Sequence, residues 1–206
     1  MKVNRSSMVY GTLVLTCTSL VSQGLGFVYR IALSRLIGAE VMGLYQLLMP
    51  VFSVILSITA VGLTVAVSNL SSEYHARENP RAVAQVLRRC LIFFLILFAL
   101  VAAVVIPLYD PISVALLGDA RTQLGLLLLL PSILLTGGEN LHKHLFYGTG
   151  AIRPPAAVEL CEQFIRTGAV LGLLVVFLPQ NPERTVGLIV LGMICCEIFS
   201  STTLVI

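Results

Sequence analysis

Long apolar runs separated by short polar links make up almost the whole chain. A helix needs about 20 predominantly apolar residues to cross a bilayer, and six runs reach that length: 10–37, 43–70, 90–109, 123–147, 155–178 and 185–206. The first two are longer than one crossing requires, so they are expected to tilt, break or project beyond the hydrocarbon. The third, CLIFFLILFALVAAVVIPLY, meets no charge before Asp110. The sixth runs into Ile206 without a polar flank, which suggests the N-terminal part of something longer. The pattern predicts an all-α polytopic bundle of six transmembrane helices.

The links are polar and carry turn signals. The longest, 70–89, contains SSEYHARENPRAVAQVLRR. Within it Asn79-Pro80 reads as an N-cap followed by the first helical residue. The RAVAQVLRR that follows reads as a short amphipathic helix lying at the interface. Residues 110–122 read as a loop, and 148–154 and 179–184 as tight turns. Lys2, Arg5, Arg77, Arg81, Arg88, Arg89, Lys143 and Arg153 fall on one side of the six runs, and Arg35, Arg121 and Arg184 on the other. The positive-inside rule then places both termini of a multi-pass cell-membrane protein in the cytoplasm.

Polar side chains inside the runs are spaced as helix stripes. In the first, Thr12, Thr16, Ser19, Gln23, Gly26, Arg30 and Ser34 recur at steps of three and four, gathering on one face. Gln46, Pro50, Ser53, Ser57, Thr64 and Ser68 do the same in the second, Ser132, Thr136, Glu139 and Lys143 in the fourth, and Glu159, Glu162 and Arg166 in the fifth. The third run has no stripe and is expected at the lipid-facing periphery. Ser and Thr alone are explained by close helix packing, but charges at membrane depth mark either a wet cavity or a buried ionic network. Gln23, Arg30, Ser34, Ser57, Glu139, Lys143, Glu162 and Arg166 are therefore the candidate cavity residues. Gly24, Gly26, Pro50 and Gly62 are candidate bends around it. An antiparallel hairpin of the fourth and fifth runs centred near Ala151 predicts Lys143–Glu159 and Glu139–Arg166 ion pairs, with Glu162 one turn from Arg166.

Composition narrows the function further. Only 11% of the 206 residues are charged, against about 25% in soluble domains, and the net charge of +3 is too small to imply a polyanion partner such as nucleic acid. Five cysteines lie in or at the ends of apolar runs without a CxxC, which argues against a disulfide framework or a zinc site. No G-x-S-x-G, H-E-x-x-H or P-loop occurs. His142 and His144 stand two apart and point in different directions on a helix. No enzymatic chemistry, cofactor or metal is expected.

The stretch GFVYRIALSRLIGAEVMGLYQLLMP (26–50) closely resembles the first two spans of the stage V sporulation protein B family, a branch of the multidrug/oligosaccharidyl-lipid/polysaccharide exporter superfamily. FYGTGAIRPPAAVELCEQFIRTG (146–168) resembles the same family's fourth-to-fifth junction, and the basic second-to-third link fits as well. The resemblance implies that residues 1–206 form the N-terminal transmembrane lobe of an exporter-type flippase whose C-terminal lobe is missing, with membrane lipid around it. It also implies a lipid-linked oligosaccharide or cell-wall (peptidoglycan or spore cortex) precursor as substrate, moved by alternating access. A pyrophosphate head group suits arginine, and Arg30 falls near the region where peptidoglycan-precursor flippases line their cavity. Those relatives carry Ser-Arg where this chain has Ser22-Gln23. The alternatives are a cation-coupled multidrug exporter lobe, against which the first run's lack of an acidic residue argues, and a non-transporting membrane protein needed for spore cortex assembly.

Overall fold

A computed structural model of the protein describes residues 5–119, 122–177 and 185–205, and among these every regular element is helical. Lys2, Arg121 and Arg184 of the charge count, and the turn at 179–184, lie outside the described residues. The first helical stretch runs Arg5–Leu56, passes through a π-helical turn at Ser57–Val61 and continues as Gly62–Ala76. Its apolar part, Leu15–Ala76, has 62 residues, about 93 Å at helical rise, where about 30 Å of hydrocarbon has to be crossed. One pass cannot hold it, and the backbone breaks at Gly38 (φ 75°, ψ 173°), a conformation open to glycine because it has no Cβ. Leu33 and Ile37 before the break and Val41, Met42 and Tyr45 after it join one apolar cluster. Residues 5–37 thus form the first span and 39–76 the second. Gly24 and Gly26, expected to bend the first span, remain helical, and Pro50 sits inside a continuous helix.

The third span, Pro80–Val105, starts where the Asn79 carboxamide accepts the Ala82 N–H (3.1 Å). The separate interfacial helix expected over RAVAQVLRR does not form; those residues are the opening turns of the span itself. No Gly or Pro between Pro80 and Val105 breaks the helix, and a helix of 26 residues is about 39 Å long, enough for its opening turns with Arg81 to project beyond the apolar slab while Arg88 and Arg89 stand near its edge. Ile92, Phe93, Leu95, Ile96, Leu100 and Val104 are exposed, while Phe94 is buried against the bundle, so the span is peripheral. The segment expected as a loop after it is partly helical: a turn at Tyr109–Pro111 and a π-helical turn at Ile112–Leu116. The Gln123 carboxamide ties this segment to the fourth span by donating to Asp110 Oδ1 (2.7 Å).

The fourth, fifth and sixth spans are Gln123–Gly148, Arg153–Phe177 and Thr185–Val205. Residue offsets fix their directions. Glu197 meets Thr136 and Ser200 meets Glu139, both 61 residues apart, and near the other end of the same helices Val186 lies against Gly125. A constant offset means that the fourth and sixth spans run parallel and in register. The fifth runs antiparallel to both and packs on the sixth, with Gly192 against Val170 and Cys196 bonded to the Glu162 carbonyl. The sixth span packs against both the fourth and the fifth, which touch each other little beyond their shared turn. The second and fourth spans end side by side: a Cβ on Gly148 would stand 2.5 Å from the Ser68 carbonyl oxygen, an approach that only glycine permits.

Candidate substrate cavity

Four of the candidate residues are brought together by the fourth and fifth spans. Lys143 Nζ contacts Glu139 Oε1 at 2.5 Å, one turn back on its own helix, and donates to Glu162 Oε2 at 3.0 Å across to the fifth span. Arg166 Nη2 donates to the other oxygen of Glu162 at 2.5 Å and lies 3.9 Å from Glu197 Oε1. Glu139 also accepts from the Ser200 hydroxyl (2.6 Å), and Glu197 accepts from the Thr136 hydroxyl. Three helices are thereby joined through one chain of ion pairs and hydrogen bonds, with side-chain exposures of 3% for Glu139, 13% for Lys143 and Glu162, 26% for Arg166 and 2% for Glu197.

The pairing differs from the one the hairpin register predicts. Lys143 pairs with Glu162 instead of Glu159, and Arg166 pairs with Glu162, as their one-turn spacing predicts, but not with Glu139. The helix ends at Gly148 and Arg153 bracket Ala151 as expected, but Lys143 reaches past the residue level with it to Glu162, nearly one turn further along the fifth span. The sixth span then takes up the Glu139 side through Ser200 and brings in Glu197. Glu197 and Ser200 are members of the network that the spacing of polar residues did not single out. Their signal was present: Glu197 is the lone charge in the otherwise uncharged TVGLIVLGMICCEIFSSTTLV, and at membrane depth a lone charge implies a partner.

Beside the network lies a cavity of about 390 Å³, lined by Ser22 of the first span, Asn140, Lys143, His144 and Tyr147 of the fourth, and Glu159, Glu162, Gln163 and Arg166 of the fifth. It is polar on nearly every side. Glu159 faces it without joining the ion pairs, and His144 stacks edge-on against Tyr147 (5.6 Å between centroids). His142 leaves the cavity to its neighbours and bonds to the Gly138 carbonyl (2.8 Å).

The candidates of the first two spans lie elsewhere. Gln23, Arg30 and Ser34, with Ser53 and Ser57 of the second span, are exposed. Arg30 has no carboxylate partner among the described residues. The molecule therefore has two polar regions of different kinds: a buried, internally neutralised one in the fourth to sixth spans, and an exposed one on the first two spans.

The polysaccharide biosynthesis protein family matches residues 8–206 of the chain. Stage V sporulation protein B of Bacillus subtilis (strain 168) is 28% identical over 200 residues, an alignment covering 95% of this chain and 38% of the relative. The chain thus spans less than two fifths of the length of that relative. No solved structure matches it. A profile match over nearly all of a six-span helical chain is decisive: this is a multi-pass membrane protein that belongs to the polysaccharide biosynthesis protein family.

Proposed function

We propose that the chain is the N-terminal lobe of a flippase that carries a lipid-linked oligosaccharide or cell-wall precursor across the cytoplasmic membrane, with both termini of the lobe in the cytoplasm. The substrate's pyrophosphate-sugar head group meets the exposed polar face of the first two spans, where Gln23, Arg30, Ser34 and Ser57 contact it. The ionic network of Glu139, Lys143, Glu162 and Arg166 is a latch that holds the fourth, fifth and sixth spans together. The observation that carries this division is charge compensation. Lys143 and Arg166 each already bond a carboxylate, so a phosphate would have to compete with it, whereas Arg30 is exposed and has no carboxylate partner among the described residues. An arginine fork offers a pyrophosphate two parallel hydrogen bonds.

The test is translocation of a fluorescent lipid-linked saccharide by the full-length flippase in reconstituted vesicles. Arg30→Ala abolishes translocation while the amount of protein inserted stays at the wild-type level. Translocation at the wild-type rate would mean that Arg30 only reaches for the interface, and would refute the assignment. The orientation has its own check. In a cysteine-free background, Glu78→Cys is labelled only after permeabilisation and Val114→Cys from outside; the reverse pattern refutes it.

A further inference from the structure

The buried network contains an odd charge. Its cations are Lys143 and Arg166 and its carboxylates Glu139, Glu162 and Glu197, so with every group ionised it carries one net negative charge inside an apolar bundle. An uncompensated ion there is strongly disfavoured and takes up a proton instead.

The contacts say which carboxylate is uncompensated. Glu162 is shared by both cations, at 3.0 and 2.5 Å. Glu139 has Lys143 at 2.5 Å and the Ser200 hydroxyl at 2.6 Å. Glu197 has the Thr136 hydroxyl and no cation within hydrogen-bonding distance, its nearest being Arg166 at 3.9 Å. The groups facing it are Thr136, Glu139 and, further along, Lys143 from the fourth span, Glu162 and Arg166 from the fifth, and Cys196 and Ser200 on its own helix. Tyr29 and Tyr45 of the first two spans face Arg166, and Tyr45 also meets Met193 of the sixth span. Among the described residues Arg166 is thus the one cation able to answer a charge on Glu197. Arg166 also holds a donor in reserve: its Nε is buried and finds no acceptor among the described residues.

We propose that Glu197 is an exchangeable proton site. With its proton on, Arg166 rests on Glu162, as observed. When the proton leaves to water in the adjoining cavity, on whose wall Arg166 and Glu162 stand, the Glu197 carboxylate draws the guanidinium across the remaining gap and loosens its bond to Glu162. One proton in or out therefore shifts the arginine between a carboxylate on the fifth span and one on the sixth. The site is defined by charge count and geometry and does not depend on the identity of the transported substrate.

The measurement is an infrared pH titration of the chain in lipid nanodiscs. The wild type shows one protonated-carboxyl C=O band near neutral pH that disappears as the pH is raised. Glu197→Gln, which keeps the shape and the Thr136 contact, loses that band entirely, while Glu159→Gln, which lies outside the network's charge count, keeps it. Thr136→Val leaves the acid in place, shifts the band by removing its hydrogen bond, and serves if Glu197→Gln does not insert. A wild type with no such band, a band that does not titrate, a band that survives Glu197→Gln, or one that Thr136→Val leaves unmoved would each overturn the proposal.

Discussion

The first two spans and the last three spend polar residues in opposite ways. Arg30 and Arg166 are both arginines in apolar helices, each flanked by polar residues at steps of three and four. Arg166 is held by Glu162 and approached by Glu197 on a third helix, whereas Arg30 is exposed beside Gln23 and Ser34. The difference lies in packing. The fifth span has the sixth against it, and a charge buried between helices must be matched. The first span presents its polar stripe outward. Spacing along a helix reveals that a polar face exists, and only the neighbours decide whether that face becomes a latch or a binding surface.

The largest effect that would test this contrast is on the latch. Glu162→Ala leaves Lys143 and Arg166 both without their shared carboxylate, and breaking a buried pair costs about 3–5 kcal/mol. Most of the protein is expected to be lost from the membrane fraction, and normal abundance would break the comparison on its structural side. Reversing one pair sharpens it: Glu139→Lys and Lys143→Glu each lower abundance, and the double variant recovers part of the loss. Next comes the helix approach at Gly148, where a side chain would meet the Ser68 carbonyl. Gly148→Val is expected to cost about 1–3 kcal/mol by overpacking, read as a lowered unfolding midpoint in detergent. Asn79→Ala removes the N-cap of the third span at about 1 kcal/mol, a reference value from outside the membrane. The smallest stability effect is that of Arg30→Ala, within about 0.5 kcal/mol as for other exposed sites. A larger destabilisation would move Arg30 from the open face into the latch.

Much of this was legible in the chain. The break between the first two spans lies at Gly38, in the gap between the first two apolar runs, whereas Gly24 and Gly26 within the first run stay helical. The bare third run is peripheral because it has nothing to bury but apolar surface, and Asn79-Pro80 starts its helix as such residues do. The ion-pair register was not legible. It depends on how far a long side chain reaches along the neighbouring helix, and Lys143 passes Glu159 for Glu162, nearly one turn further along the fifth span. Glu197 was hidden by the hydropathy of its surroundings, which marks a span without saying which neighbour it packs on. The basic start of the third span was misjudged because charge marks the interface but does not end a helix.

The central claim is the division between an open substrate face and a closed latch, and one pair of full-length variants tests it directly. Glu139→Gln with Lys143→Met removes one anion and one cation of the latch and leaves its net charge as it was; Arg30→Ala removes the exposed cation. Translocation per inserted molecule is measured for both. The account predicts that the double variant is less abundant yet translocates per molecule at near the wild-type rate, while Arg30→Ala is fully abundant and translocates nothing. An active Arg30→Ala beside an abundant but inactive double variant would contradict it.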